Sequence, residues 1–158
     1  MLRDEGSANG VYVKLRDSAA LEPGDYFVAG ERLLRFDPCE LPVGDPGETP
    51  YLGGPRPEGI AVRVTEVLRG GKTGRVCFRS GPIIAIGRTG CDLNFASDSG
   101  LAPRHAELRV DAGGSATLVD LGAGPSGVFL RLRPQQTIEL QPGDVIQLGD
   151  QQLRLDVA

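Results

Sequence analysis

Glycine and proline are the features that most limit what this chain can fold into: 35 of its 158 residues are one or the other, and the longest stretch free of both, Val11 to Glu22, is twelve residues. An average helix needs about 11–12 residues, and a Gly or Pro inside it costs ~1 or ~3 kcal/mol. A helical bundle is therefore excluded, and short strands joined by turns are what remains. With 40% hydrophobic residues but only 5% aromatic and no Trp, the chain affords a modest core of Val, Leu and Ile, which sets it apart from disordered sequences. Its length fits one ordinary domain, or a small domain with an appendage.

The chain contains an internal repeat. Gly10-Val11-Tyr12-Val13-Lys14-Leu15-Arg16 matches Gly127-Val128-Phe129-Leu130-Arg131-Leu132-Arg133, and Leu21-Glu22-Pro23-Gly24-Asp25 matches Leu140-Gln141-Pro142-Gly143-Asp144. Gly30, Leu34, Arg35 and Asp37 then align with Gly149, Leu153, Arg154 and Asp156, giving twelve identities over about 28 positions in the same order. Each copy alternates apolar and polar residues with period two, as in Val11, Val13 and Leu15 or Leu153 to Val157, and Pro-Gly-Asp supplies turn chemistry between the runs. Strands with one buried and one wet face follow from that pattern.

Further alternating segments precede the second copy: Val62/Val64, Val76/Phe78, Ile83 to Ile86, Leu93/Phe95, Leu108/Val110 and Leu118 to Leu121. Turns every 8–12 residues or so predict a β-sandwich or barrel. Between the copies, residues 38–59 hold six prolines and five glycines in 22 residues and read as a semi-extended linker. The expected organisation is thus a partial repeat at 1–37, a Pro/Gly-rich linker at 38–59 and a complete β-domain at 60–158. Residues 1–37 correspond only to the last third of that domain. Alone they leave open edges and half a core, so either they pair with something or the chain is a fragment of a longer protein.

No run of about 18 apolar residues is present, and Met1-Leu2-Arg3-Asp4-Glu5 lacks the apolar segment of a signal peptide. Cys39, Cys77 and Cys91 are odd in number and widely spaced, unlike a disulfide framework, so a reducing, cytoplasmic location is expected. A net charge of −4 argues against nucleic-acid or anionic-membrane binding. All but two of the 17 basic residues are Arg, which reads as base composition of the genome rather than as a site.

Several motifs imitate chemistry without supplying it. Gly70-Gly71-Lys72-Thr73-Gly74 contains Gly-Lys-Thr, but a phosphate-binding loop needs a Gly where Glu66 stands and a helix where Arg75-Val76-Cys77-Phe78 is strand-like, so a hairpin turn is the better reading. The three cysteines and His105 lack the close ligand pairs of a zinc site, and no metal or other cofactor is expected. Nucleophilic catalysis would have to use His105, the sole histidine, with no nucleophile in a recognisable local frame, so the chain is read as a non-enzyme without catalytic residues.

A different constellation is informative. Ile86-Gly87-Arg88 ends a strand, Asp92-Leu93-Asn94-Phe95 follows, and then come Leu101-Ala102-Pro103-Arg104-His105-Ala106-Glu107-Leu108, Asp120-Leu121-Gly122, Ser126-Gly127-Val128-Phe129 and Leu140 to Gly149. In order and spacing this resembles the forkhead-associated (FHA) domain over residues 60–158. Asp4-Glu5-Gly6-Ser7-Ala8-Asn9-Gly10-Val11 is similar to the same family's Asp-x-Gly-Ser-x-Asn-Gly signature. The resemblance implies an all-β sandwich of about eleven mainly antiparallel strands, whose loops at one end bind phosphothreonine in a partner protein. A phosphate carries about −1.5 to −2 charge and three acceptor oxygens, and a rigid sandwich holds donors on short loops to meet it.

Carried over residue by residue, the resemblance makes Arg88 the phosphate partner, with Arg104, Ser126 and Gly127 in the phosphopeptide-binding set and Gly87 and His105 as loop-structuring residues. It also exposes departures. Ala102 stands where the family's phosphate-binding Ser is expected, Pro103 replaces a side-chain donor, and Ser126 replaces an Asn that clamps the peptide backbone. Each hydrogen bond to a charged group is worth ~1.5–3 kcal/mol, so losing two weakens binding by roughly two to four decades unless Arg104, Ser126, Ser99 or backbone N–H groups substitute.

The implied function is a phosphothreonine-dependent interaction module in Ser/Thr-kinase signalling, its partner a threonine-phosphorylated protein or the kinase itself. The rival reading is a degenerate FHA scaffold that binds a partner, or itself, without phosphate. If Met1 is the true start, self-association by strand exchange through residues 1–37 is the expectation; if the natural protein is longer, the upstream domain is the expected phosphothreonine reader and residues 60–158 a divergent second copy. Thr49, in Glu48-Thr49-Pro50-Tyr51-Leu52, has the +3 aliphatic residue that some FHA domains select and is a candidate site for phosphorylation and docking.

Overall fold

The structure is a computed structural model that describes residues 1–40, 60–111, 113–121, 127–149 and 151–156. Thr49 and Ser126 lie outside the described residues.

The first copy of the repeat contributes five strands, β1 (Leu2–Arg3), β2 (Val11–Lys14), β3 (Ser18–Leu21), β4 (Tyr26–Ala29) and β5 (Arg32–Glu40). After residues 41–59 come β6 (Ile60–Val67), β7 (Thr73–Ser80), β8 (Ile83–Gly87), β9 (Leu93–Asn94), β10 (Ala106–Val110) and β11 (Ala116–Asp120). The second copy gives β12 (Val128–Arg131), β13 (Thr137–Ile138), β14 (Val145–Leu148) and β15 (Gln151–Arg154). The chain is all-β, in agreement with the sequence reading, and Gly70-Gly71-Lys72 lies in the β6–β7 connection with Thr73 opening β7, so no helix follows as a phosphate loop requires.

Two sheets face one another. One has eight strands in the order β15-β14-β2-β12-β4-β5-β6-β7, the other five in the order β3-β11-β10-β8-β9, and β1 pairs separately with β13. Pairing is antiparallel throughout except for β8 with β9. Between the sheets lies one main core: Phe27, Leu34, Phe36, Val62 and Val64 from the larger sheet meet Leu21, Ile84, Ile86, Leu93, Leu108 and Leu118 from the smaller. Burying side chains of this size is worth about 1.5–3 kcal/mol each, which is why the period-two pattern dictates the layering.

Residues 1–37 form no separate body. β4 and β5 lie between β12 and β6 in the large sheet, and β3 forms an edge of the small one beside β11. The strand β5 also runs to Glu40, three residues into the stretch read as linker. Its pairing with β4 ends at Arg35, so at Pro38 only the β6 ladder remains and the missing N–H interrupts a single partner.

The two repeat copies are related by a pseudo-two-fold axis through the β2–β12 pair. Val13 faces Leu130, the same position in each copy, while Lys14 faces Phe129 and Tyr12 faces Arg131. Leu15 N donates to Val128 O and Leu132 N to Val11 O, both at 2.8 Å. Each copy hands its later strands to the other. Ala29 pairs with Val128 and Phe27 with Leu130 on one side, and Leu148 pairs with Val11 and Ile146 with Val13 on the other. The salt links are exchanged likewise: Arg133 Nε and Nη2 bind Asp25 at 3.0 and 2.8 Å, and Arg16 Nε and Nη2 bind Asp144 at 3.0 and 2.6 Å. Side-chain hydrogen bonding to Arg16 holds the Asp144 carboxyl below the usual carboxylate range, with burial opposing. Exchange of this kind costs nothing locally, because each strand finds the same register and the same counter-ion it would find in its own copy.

Candidate functional site

The loops at one end of the sandwich bring the sequence-predicted residues together. Residues 88–92 follow β8, residues 99–104 precede β10, and Gly127 precedes β12. The first two loops touch through their backbones: Arg88 N donates to Ala102 O at 3.0 Å and Thr89 N to Pro103 O at 3.3 Å. Gly87 makes that approach possible, since a Cβ there would sit 2.2 Å from Pro103 O and 2.9 Å from Cys91 Sγ. No side chain fits, which is the physical content of Gly in Gly-Arg.

His105 ties the third loop in. It is buried, accepts from Ala102 N at Nδ1 over 3.1 Å, and reaches Gly127 O from Nε2 over 2.7 Å. A backbone N–H on one ring nitrogen and a carbonyl on the other assign the neutral tautomer with the proton on Nε2. The ring therefore has no lone pair left for a metal or a reacting group. Gly127 takes φ +62°, and a Cβ there would fall 2.4 Å from Lys14 Cε, so the alkyl chain of a first-copy residue lies across this loop. The pseudo-two-fold repeats the arrangement, with Gly10 at φ +82° under the Arg131 guanidinium.

Arg88 is half-buried, and its guanidinium makes no hydrogen bond or ion pair among the described residues. Arg104 differs. Its Nη2 donates to Glu107 Oε1 at 2.6 Å, while Arg109 Nε holds Glu107 Oε2 at 3.3 Å. Hydrogen bonding from Arg104, helped by Arg109, keeps the buried Glu107 carboxyl below its usual range against the opposing effect of burial. The Ala102 N–H is taken by His105 and Pro103 has none to give, so the loop before β10 is poor in free donors.

Sequence reasoning missed several residues that hold this end in shape. Asn94 closes the 88–92 loop, accepting from Cys91 N and donating to Cys91 O, both at 2.8 Å. Asp92 Oδ2 accepts from Ala85 N at 2.8 Å. Burial raises the Cys91 thiol above its usual range and keeps it in the protonated form, donating to Pro103 O at 3.2 Å. Asp98, fully buried, accepts from Glu31 N and Gly100 N and pairs with Arg32, fastening a first-copy turn to the loop before Leu101. Short polar residues inside a Gly-containing loop are the available signal, since Asn and Asp cap turns in this way.

Comparison with known proteins gives a match over the same strands. The family model described as FHA domain matches residues 84–149, from β8 to the turn after β14. No curated protein and no solved structure matches the chain. Among the described residues no helix is long and apolar enough to cross a membrane. The match covers the Gly87-Arg88 loop, His105 and its two backbone partners together with the strands that carry them, so residues 84–149 carry an FHA domain, a type of domain known as a phosphopeptide-binding interaction module.

Proposed function

We propose that the chain is a non-catalytic reader of phosphothreonine in Ser/Thr-kinase signalling, cytoplasmic, with its ligand a threonine-phosphorylated protein or kinase. The observation that carries this reading is Arg88: a half-buried guanidinium without a partner among the described residues, beside a loop pair whose backbone is locked by Gly87 and His105. An unpaired cation there is suited to a dianionic phosphate, and a charge-assisted bidentate contact is worth ~1.5–3 kcal/mol. Gly127 would meet the peptide backbone from the third loop, and Ser126, outside the described residues, is the side chain that the family resemblance adds to it. Arg104 has a smaller part, because Glu107 already holds one of its nitrogens.

The direct test is a fluorescence titration with a degenerate phosphothreonine peptide pool and its unphosphorylated twin. Binding confined to the phosphorylated pool and weakened about 10–100-fold by Arg88→Ala is expected. Ala102→Ser should tighten it by restoring a hydroxyl donor. Equal binding of the two pools, unchanged by either substitution, would sink the reading.

One observation favours the alternative of a phosphate-independent scaffold: the loop before β10 has Ala102 with its N–H committed, Pro103 without one, and Arg104 tied to Glu107. Under that reading, complex formation survives dephosphorylation of the partner and high phosphate buffer.

A further inference from the structure

The pseudo-two-fold axis leaves the molecule lopsided. On one side of the β2–β12 pair the large sheet continues through β4, β5, β6 and β7, while on the other it stops after β14 and β15. β15 is the counterpart of β5, and the outer edge of β5 carries β6 over seven paired positions, Leu34↔Glu66 to Glu40↔Ile60. Among the described residues no strand pairs with the outer edge of β15, and all four of its residues are exposed.

Equivalent side chains show what is missing. Leu34 is 1% exposed and its counterpart Leu153 50%; Ala29 is 0% exposed and its counterpart Leu148 41%. Beneath them sits a small second core of Val11, Leu132 and Ile146, with Leu2, Val13, Ile138 and Leu140 only partly covered. The pairing of Leu2 with Ile138 and Arg3 with Thr137 repeats that of Leu118 with Ala19 and Val119 with Ser18, so β1 stands where β11 ends in the complete sandwich. These strands thus make the closing half of a second sandwich, correct in register and open on one face.

We propose that this half-sandwich, formed by β1, β2 and β13–β15, is a docking surface for a partner polypeptide bearing the opening strands of an FHA sandwich, the equivalents of β6–β10. Continuity with the existing β5–β6 interface specifies the geometry: the incoming first strand pairs antiparallel with β15, and the opposing sheet covers Leu148 and Leu153. Charge agrees. Arg154 pairs with Asp156 at 3.3 Å as Arg35 does with Asp37 at 3.2 Å, and Asp37 also receives Arg63 from β6 at 3.4 Å, so a basic residue on the incoming strand would face Asp156. A second copy of this chain is a poor occupant, because its own β6 is paired on both edges, by β5 and β7. Unprotected edges with apolar residues beside them are otherwise avoided in stable folds.

The test uses the full chain and, as a probe for the partner, residues 60–111 of this same sequence fused to a soluble carrier. Light scattering after size exclusion and amide hydrogen exchange are the readouts. Expected is a one-to-one complex in which the amides of Gln151–Arg154 exchange at least tenfold more slowly, lost on Leu153→Asp in the full chain while its melting temperature is unchanged. Leu148→Ser, a milder change, should weaken the complex and serves as the second variant. Absence of a complex, a complex that leaves exchange at β15 unaltered, or a chain that already dimerises alone with β15 protected would each overturn the proposal, the last by making a second copy the occupant.

Discussion

The complete sandwich and the half-sandwich are built from copies of the same sequence, yet one encloses its apolar residues and the other exposes them. Both contain the Leu-x-Pro-Gly-Asp turn, with Asp25 and Asp144 each capping it through the backbone N–H three residues earlier, at 2.8 Å in both cases. Both hold that Asp with an arginine from the opposite copy. The turn and its arginine link are thus made by the same hydrogen bonds in both copies, and the difference lies in what covers the strands. A strand's turn and register are encoded locally; whether its side chains are core is decided by the facing sheet.

Matched substitutions give the sharpest way to break this comparison. Leu34→Ala empties a site enclosed between the two sheets and should cost about 2–5 kcal/mol, read as a shift of the denaturation midpoint, whereas Leu153→Ala should stay within about 0.5 kcal/mol. Equal losses at the two positions would mean that the half-sandwich is as closed as the complete one.

His105→Ala ranks next. It leaves Ala102 N and Gly127 O without their partner inside the protein, at about 1–3 kcal/mol for each orphaned group that water cannot reach. Phosphopeptide affinity should fall with it, since the three loops lose their common tie, and a proton NMR spectrum should show the change confined to that end.

Smaller effects separate the exchanged ion pairs. The Arg133 side chain is 31% exposed and Arg16 is 53% exposed, facing aspartates buried to a similar degree. Arg133→Ala should therefore destabilise more than Arg16→Ala, and both effects should be small because solvent screens these partly exposed pairs. If the order reverses, the Arg16–Asp144 link is the stronger anchor of the exchange.

Acid should expose the same links. Asp144 and Glu107 have folded pKa values below their usual ones, so the folded state binds fewer protons than the unfolded chain, and their contribution is present above the usual carboxylate range and lost as pH falls through the folded values. Stability should decline on acidification below about pH 4.5, less steeply in Arg16→Ala and Arg104→Ala, which remove the cations responsible. A decline as steep in both variants as in the parent would discard these two carboxylates as the source.

Much of the fold was legible beforehand. Period-two alternation set the strands, Gly and Pro set the turns, and the repeat announced that two copies of one strand set were present. At the site, Gly87, Arg88, His105 and Gly127 came from the family resemblance, and the structure gives three of them a steric or hydrogen-bonding reason while Arg88 is left unengaged among the described residues. Asp92, Asn94 and Asp98 were not, because a short polar residue in a loop looks the same whether it caps a turn or faces water. Glu107 was read within a strand motif, and only the fold shows that it occupies Arg104 and so limits that residue's part in binding.

By itself the sequence determined the class of fold, which residues of each strand face inward and where the turns fall, since all of these depend on residues close along the chain or on a repeat that specifies them twice. It left open which copy's strands complete which sandwich, because two segments with the same turn, register and counter-charge fit the same place. Only the tertiary structure decided that β4 and β5, not β14 and β15, close the main core. Two physical differences separate the candidates. Phe27 and Phe36 fill more of the space between the sheets than Ile146 and Leu155 would, and β5 leads into β6 through residues 41–59 whereas β15 lies some 84 residues beyond it, a loop-closure difference of about 1 kcal/mol.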